Sequence, residues 1–296
     1  MDSRYCLLVH PGSNNLGDAI QSLAARRFLP QIDTLVARER MSEPGTLDGP
    51  VRVILNGWFM QDPRFWPPHP AMEPLPVSMH FFEPARNPLK RLKASPRHQM
   101  LTGAGGEWLR KWGPVGARDF TTLEALEQYD IPAYHSGCLT LTLQQDTPLP
   151  RGDAIVACDL PPAALAALRQ QAGNRPIITV THFVPQGIDW AGHQKAALDM
   201  LQCYAQASAV VTTRIHAALP CLALKTPVIL LTKALSRRRV TDMTQLMHSS
   251  RISDFIAKRH AFNFVTPPEN PDEFRKLAVT LEKICSDFAL HGHAKS

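Results

Sequence analysis

The chain has 296 residues, 44% hydrophobic and 20% charged, which suits one large or two ordinary globular domains with a sizeable core. A net charge of +6 and a pI near 9.1 attract anions, but no basic stretch is interleaved with aromatics as a nucleic-acid module requires. Small anions, or an acceptor at a membrane surface, therefore fit better than nucleic acid. No apolar run approaches a membrane span, and the strand-like start has no cleavage pattern, so a cytoplasmic protein is expected. Cys6, Cys138, Cys158, Cys203, Cys221 and Cys285 form no CxxC or CxxH pair, which predicts buried free thiols and neither a disulfide framework nor a metal site.

Tyr5–Val9 reads as a first strand, followed by the loop His10-Pro-Gly-Ser-Asn-Asn15-Leu-Gly17-Asp18. Ala19 to Leu29 then reads as an amphipathic helix with Ile20, Leu23, Ala24 and Phe28 on one face. Strand, glycine loop, helix opens a Rossmann-like unit, although the loop is neither the dinucleotide fingerprint nor a P-loop. Asn15 and Asp18 flank Gly17 at the helix start, a place where caps and turns want the same residue types as a ligand site.

Leu35-Val-Ala-Arg38-Glu39-Arg40 is short and charged. Val51–Leu55 is a strand ending in Asn56-Gly57-Trp58, a polar turn whose glycine lets backbone approach a ligand. Residues 61–97 are rich in proline, aromatic and basic residues, with room for a short strand near 76–82. Such a segment is either an acceptor-binding or membrane-facing loop or a solvated irregular stretch.

Glu107–Trp112 reads as helix, and Gly113–Ala117 as a strand-like piece ending in Arg118-Asp119. Phe120–Tyr129 is a helix capped by Asp119 or Thr121, and the half closes with a strand running into His135-Ser-Gly137-Cys138. Residues 146–153 have the composition of a linker. The second half restarts with the strand Ala154–Cys158, a helix to Gln171, the strand Pro176–His182 and a helix over 193–208.

Val210, Val211 and Thr212 then form a short apolar strand that ends at Arg214 and His216, before an Ala/Leu helix and the strand Pro227–Leu231. Ligands in open α/β sheets collect at the carboxyl ends of strands. A guanidinium there is a fork of donors for carboxylate or phosphate, and a histidine beside it exchanges a proton near neutral pH. The competing reading makes Arg214 a helix cap and His216 a satisfied, partly buried histidine. Further helix is expected from Met243, then a C-terminal helix over 272–289 and a frayed tail from His291. Two halves of alternating strand and helix predict two Rossmann-like α/β domains facing a cleft, residues 1–148 and 149–296. Anion-binding candidates come from both halves: Arg118 from the first, and Arg214, His216 and Arg239 from the second.

Several pieces together resemble the polysaccharide pyruvyl transferase family. They are Asn15-Leu-Gly17-Asp18-Ala-Ile-Gln-Ser, Gly116-Ala-Arg118-Asp119-Phe-Thr-Thr-Leu, His135-Ser-Gly137-Cys138-Leu-Thr140, and Thr213-Arg214-Ile-His216-Ala-Ala-Leu-Pro with Thr226-Pro-Val. The family is similar in fold to B-type two-domain glycosyltransferases. The resemblance implies transfer of a pyruvyl group from phosphoenolpyruvate onto two hydroxyls of a sugar, as a cyclic ketal, with release of phosphate. It puts the acceptor, a free, lipid-linked or nucleotide-linked glycan, on the first domain and the donor on the second.

By that resemblance Arg118 and Arg214 bind the donor and Arg239 is a third cation. His216 is the general acid or holds the leaving phosphate as an imidazolium, and Asp18 is the general base. Asn15 and Gly17 shape the loop; His135, and Asn56 from the polar turn after its strand rather than from the resemblance, complete the substrate-binding set. No metal and no cofactor beyond the donor substrate is implied. Ile215 stands where the family commonly has leucine, the surroundings of Arg237–Arg239 are unusual, and residues 61–97 match nothing that carries over. The basic stretch 86–97 is compatible with transient contact at the inner membrane face.

Two alternatives use the same architecture. A nucleotide-sugar glycosyltransferase would want a strand-end carboxylate for the ribose, and none follows Thr213 or Leu231. A non-catalytic glycan- or anion-binding protein would keep the fold without the reaction.

Overall fold

The computed structural model describes all residues except 1–2, 44, 46, 48, 60–61, 82–94, 146–148, 186, 234–241 and 294–296. Arg239 and much of the proline-rich, basic segment 61–97 therefore lie outside the described residues. Two parallel sheets carry the chain. The first has six strands in the order β2-β1-β3-β4-β5-β6. They are β1 (Tyr5–Val9), β2 (Thr34–Ala37), β3 (Val51–Trp58), β4 (Met72–His80), β5 (Val115–Ala117) and β6 (Ala133–His135). The second has five, ordered β11-β10-β9-β7-β8. They are β7 (Ile155–Cys158), β8 (Ile177–Val180), β9 (Ala209–Thr212), β10 (Val228–Thr232) and β11 (His248–Arg251). The expected α/β class with two Rossmann-like parallel sheets holds.

The strand assignments follow from burial. β1, β7 and β9 are buried along their whole length, as parallel strands covered on both faces should be. That is why they read as unbroken apolar runs. Edge strands are different: β8 leaves Ile178 half exposed, and β11 is His-Ser-Ser-Arg. The helix expected from Met243 accordingly gives way at His248 to a polar edge strand, which no apolar pattern announces.

Helices join the strands: α1 (Leu16–Arg26), α2 (Pro96–Leu101), α3 (Gly103–Trp112), α4 (Phe120–Glu127), α5 (Pro162–Gln171), α6 (Trp190–Gln206) and α7 (Ile215–Ala223). A last helix spans Phe274–His291. Among the described residues no helix is long and apolar enough to cross a membrane. All six cysteines are free; five are buried and Cys203 is half-buried. Burial pushes the Cys6 thiol up to about 12 and Cys158 to about 11, so both are inert packing groups.

The packing does not follow a single cut in the chain. One compact unit contains Met1–Pro11, Gln21–Leu139 and Thr280–Ser296; the other contains Gly12–Ile20 and Thr140–Val279. The loop after β1 and the first five residues of α1 thus count with the second sheet. The chain's end counts with the first. As far as His293, the last residue described, the tail is held: the Tyr5 hydroxyl donates to the Ala289 carbonyl at 2.9 Å, and the His293 amide donates to Glu73 at 2.7 Å. The His293 ring also lies edge-on to Trp112, 5.3 Å between centroids.

Candidate functional site

In the second sheet the chain leaves β7 for β8 on one side and then returns past it to β9 on the other. That makes β7/β9 the topological switch point, where ligands bind beyond the carboxyl ends. Asp159 follows β7 there and Thr213-Arg214 follows β9. The Thr213 hydroxyl donates to the Asp159 carbonyl at 2.9 Å. The Arg214 Nε–H donates to Asp159 Oδ2 at 2.8 Å, and the His182 amide donates to the same oxygen at 3.1 Å. Asp159 has φ of +51°, a left-handed conformation that Asp adopts more readily than most residues. Burial opposes its ionisation, but hydrogen bonds from Thr181 and the His182 amide, with the Arg214 charge, outweigh it and hold the carboxyl below its ordinary value. The site therefore contains a formed ion pair.

Arg214 keeps binding capacity. Its guanidinium lies 4.5 Å over the exposed ring of Phe183, a stacked cation–π contact. Neither terminal amino group has a hydrogen-bond partner among the described residues, and the side chain is 31% exposed. Arg214 is also the N-cap residue of α7 but gives it no side-chain cap. The Arg214 fork thus stands at the positive end of α7, an arrangement suited to an anion.

His216 is in the first turn of α7 and meets α1. A Cβ built on Gly17 would lie 2.9 Å from both Cβ and Nδ1 of His216. Only a glycine lets this helix start pass so close to the imidazole. The loop before it is fixed on β8's extension by the Asn15–Phe183 bridge, by Leu16 N–H to the His182 carbonyl at 2.8 Å, and by Val184 N–H to the Asn14 carbonyl at 3.0 Å. The Asn15 side chain accepts from the Gly17 amide at 3.3 Å, as a cap would. Ser13 Oγ donates to Asp18 Oδ2 at 2.6 Å, and His193 Nε2 meets the Ser13 carbonyl at 3.0 Å. Asn15, Gly17, Asp18, Arg214 and His216, picked from two distant stretches of sequence, therefore belong to one compact unit.

Arg118, Asn56 and His135 belong to the other unit. Arg118 is buried at the end of β5, where its Nη1 donates to Gln21 Oε1 at 3.2 Å. Asp119 caps α4 through the Thr122 amide at 2.9 Å and pairs with His80 Nδ1 at 2.5 Å. Burial opposes its charge, but His80, Arg118 and the Thr122 amide hold its carboxyl down at about 2. Asn56 is buried and donates to the Gln21 carbonyl at 2.9 Å. The His135 ring stacks on Phe120, 4.3 Å between centroids.

Behind the Asp159–Arg214 pair lies a buried chain. His182 Nε2 and the Tyr204 hydroxyl are 2.7 Å apart, and that hydroxyl donates to Cys158 Sγ at 3.3 Å. Burial lowers the His182 pKa to about 4, with Asp159 opposing and Arg214 reinforcing the shift. The folded value lies below the unfolded one near 6.5, so the unfolded chain takes up the proton first. The neutral ring's contribution is complete above about pH 6.5 and is lost as pH falls toward about 4, on the order of 3 kcal/mol in all. Urea midpoints measured between pH 7.5 and 4 should fall in the wild type and flatten in His182→Gln. Equal slopes would remove His182 as the cause.

Asp159 and Phe183 escaped the sequence reading, and His182 was read only as the histidine that ends a strand. A signal existed for the first: an aspartate directly after the apolar strand Ala154–Cys158. Phe183 and His182 are recognisable only once the loop 12–16 is seen to pair with them.

The class these features define is a two-sheet parallel α/β protein with a cationic fork, a histidine and a carboxylate at strand-to-helix turns. Residues 104–232 match the family model described as polysaccharide pyruvyl transferase. The resemblance read from the sequence is borne out over that stretch and supports a general role in pyruvyl transfer on a glycan. It takes in Arg118, His135, Asp159, Arg214 and His216, while the Asn15–Asp18 motif precedes it. No curated protein gives a match. Among solved structures the chain is similar to an uncharacterized protein from Klebsiella pneumoniae subsp. pneumoniae NTUH-K2044, at 13% identity and a TM-score of 0.46, over 82% of this chain and 89% of that one.

Proposed function

We propose that the protein transfers the pyruvyl group of phosphoenolpyruvate to two hydroxyls of one sugar in a glycan, forming a cyclic ketal and releasing inorganic phosphate. The observation that carries this reading is the helix start at Arg214. Two unpartnered guanidinium amino groups stand at a helix start that has no side-chain cap, next to His216, which packs on Gly17 beside Asp18. Phosphoenolpyruvate brings a carboxylate and a phosphate, and this donor set suits either. In the reaction C3 of the enol takes a proton, from His216. A sugar hydroxyl attacks C2 and gives its proton to Asp18. Phosphate leaves from C2, and the second hydroxyl closes the ketal while its proton passes to the phosphate.

Arg118 carries a donor-binding role from the resemblance alone, and so does Arg239, which lies outside the described residues. The acceptor in this proposal is a free, nucleotide-linked or lipid-linked glycan, the last met at the inner membrane face. Asp159 is the strand-end carboxylate that a ribose-binding glycosyltransferase would want, but Arg214 and the His182 amide already occupy its Oδ2.

Thermal shift with phosphoenolpyruvate, UDP and UDP-sugars separates the readings, together with phosphate release on adding sugar acceptors. Stabilisation by phosphoenolpyruvate and acceptor-dependent phosphate release are expected. Stabilisation by nucleotides alone would move the protein to the glycosyltransferases. Donor binding with no phosphate release from any acceptor would make it a binder.

A further inference from the structure

Phe183 has no part in the reaction drawn above, and its side chain is 57% exposed. Single exposed apolar side chains are ordinary. What sets Phe183 apart is that its backbone is fixed from two sides while its ring meets one functional group. Its amide donates to Thr181 Oγ1 at 3.1 Å, and its backbone forms an antiparallel bridge with Asn15. The bonds from Leu16 to His182 and from Val184 to Asn14 flank that bridge. The loop at 14–16, distant in sequence, therefore sets where the ring stands. It stands beneath Arg214, with the guanidinium carbon 4.5 Å from its centroid.

Arg214 is held at a second point. Its Nε–H donates to Asp159 Oδ2 at 2.8 Å, and the His182 amide steadies the same oxygen at 3.1 Å. A hydrogen bond on Nε alone leaves the planar group able to swing about it, and a ring beneath the plane alone lets it slide. Together they fix both the plane and the direction of the guanidinium. The edge formed by Nη1 and Nη2 is left for a ligand. An oxyanion then meets a fork that is already oriented, so less side-chain freedom is lost on binding. We propose that Phe183 is a positioning residue: with Asp159 it clamps the Arg214 guanidinium and presents its two terminal amino groups as a fixed donor pair for an oxyanion. The inference also gives the Asn15 loop a task, which is to place the ring.

The identity of that oxyanion, a group of phosphoenolpyruvate, rests on the pyruvyl-transfer reading; the clamp itself is read without it. Arginine-selective NMR on the full chain, with no ligand present, follows the Arg214 Nε–H signal, identified by its loss in Arg214→Lys. Phe183→Leu keeps an apolar side chain but removes the ring, and Phe183→Tyr keeps the ring. Leucine should shift the signal, by removing the ring current, and speed its exchange with water; tyrosine should leave exchange slow. The dissociation constant for phosphoenolpyruvate should rise about tenfold with leucine and stay within about twofold of wild type with tyrosine. Melting temperatures without ligand should stay near wild type in both, because the ring is more than half exposed. Exchange unchanged by leucine, exchange speeded with no loss of anion affinity, or a loss that tyrosine does not rescue would each overturn the clamp. Inorganic phosphate is titrated alongside. Binding of phosphate but not of phosphoenolpyruvate, with the leucine and tyrosine pattern intact, would sink the pyruvyl-transfer reading and keep the clamp. A wild type that binds neither anion would overturn both.

Discussion

Arg214→Ala should abolish stabilisation by phosphoenolpyruvate and lower kcat/KM for phosphate release by about 10³, near the upper end of what losing one preorganised donor costs elsewhere. The loss should exceed that of a contact alone. In the folded protein Arg214 and Asp159 form an ion pair at 2.8 Å, with side chains 31% and 12% exposed. Removing the arginine leaves a half-buried carboxylate where the donor's anion would sit, so attraction becomes repulsion. Two companions separate the effects. Arg214→Lys keeps a positive charge but loses the planar fork, and should fall between wild type and alanine. Adding Asp159→Asn to Arg214→Ala removes the repelling charge and should recover part of the donor affinity but little of the rate. Undiminished stabilisation by phosphoenolpyruvate in Arg214→Ala would place the donor elsewhere.

Most of the fold was legible because it is carried by buried parallel strands. Val210-Val-Thr and Ile155-Val-Ala-Cys are apolar without alternation, which in a parallel sheet is what full burial on both faces looks like. Edge strands obey a different constraint, and His248-Ser-Ser-Arg pairs through its backbone with side chains half in water. The site was legible in part. Arg214 and His216 were singled out by position, at the end of a buried strand, and the structure puts both at the start of α7 with Arg214 paired to Asp159. Asp159 was not, because a single aspartate after a strand looks like a turn residue until its partner across the switch point is known. The exchange of segments between the units has no local signal at all. Whether residues 12–20 pack with the strand before them or with a sheet 140 residues later is decided by long-range pairing to His182 and Phe183.

Gly17→Ala should cost about as much activity as losing His216 itself, though it adds only a methyl group and removes no functional atom. The backbone of Gly17 is helical and asks nothing special of its φ, and alanine is the better helix former by about 1 kcal/mol. Local propensity therefore predicts a stabilised α1. The packing predicts the opposite for function: the new methyl would stand 2.9 Å from His216 Cβ and Nδ1, closer than van der Waals contact allows. Turning the imidazole relieves the contact to Nδ1 but not the one to Cβ, so α1 must shift against His216, and a general acid misplaced by an ångström loses most of its 10²–10⁴-fold effect. Donor affinity should change little, since Arg214 and the α7 amides are untouched. A double-mutant cycle makes the test sharp. If Gly17→Ala acts through His216, then Gly17→Ala with His216→Gly should be no slower than His216→Gly alone, because glycine removes both the imidazole and the Cβ that the new methyl meets. Additive losses would show that Gly17 serves the reaction by another route, such as close approach of a substrate to its backbone.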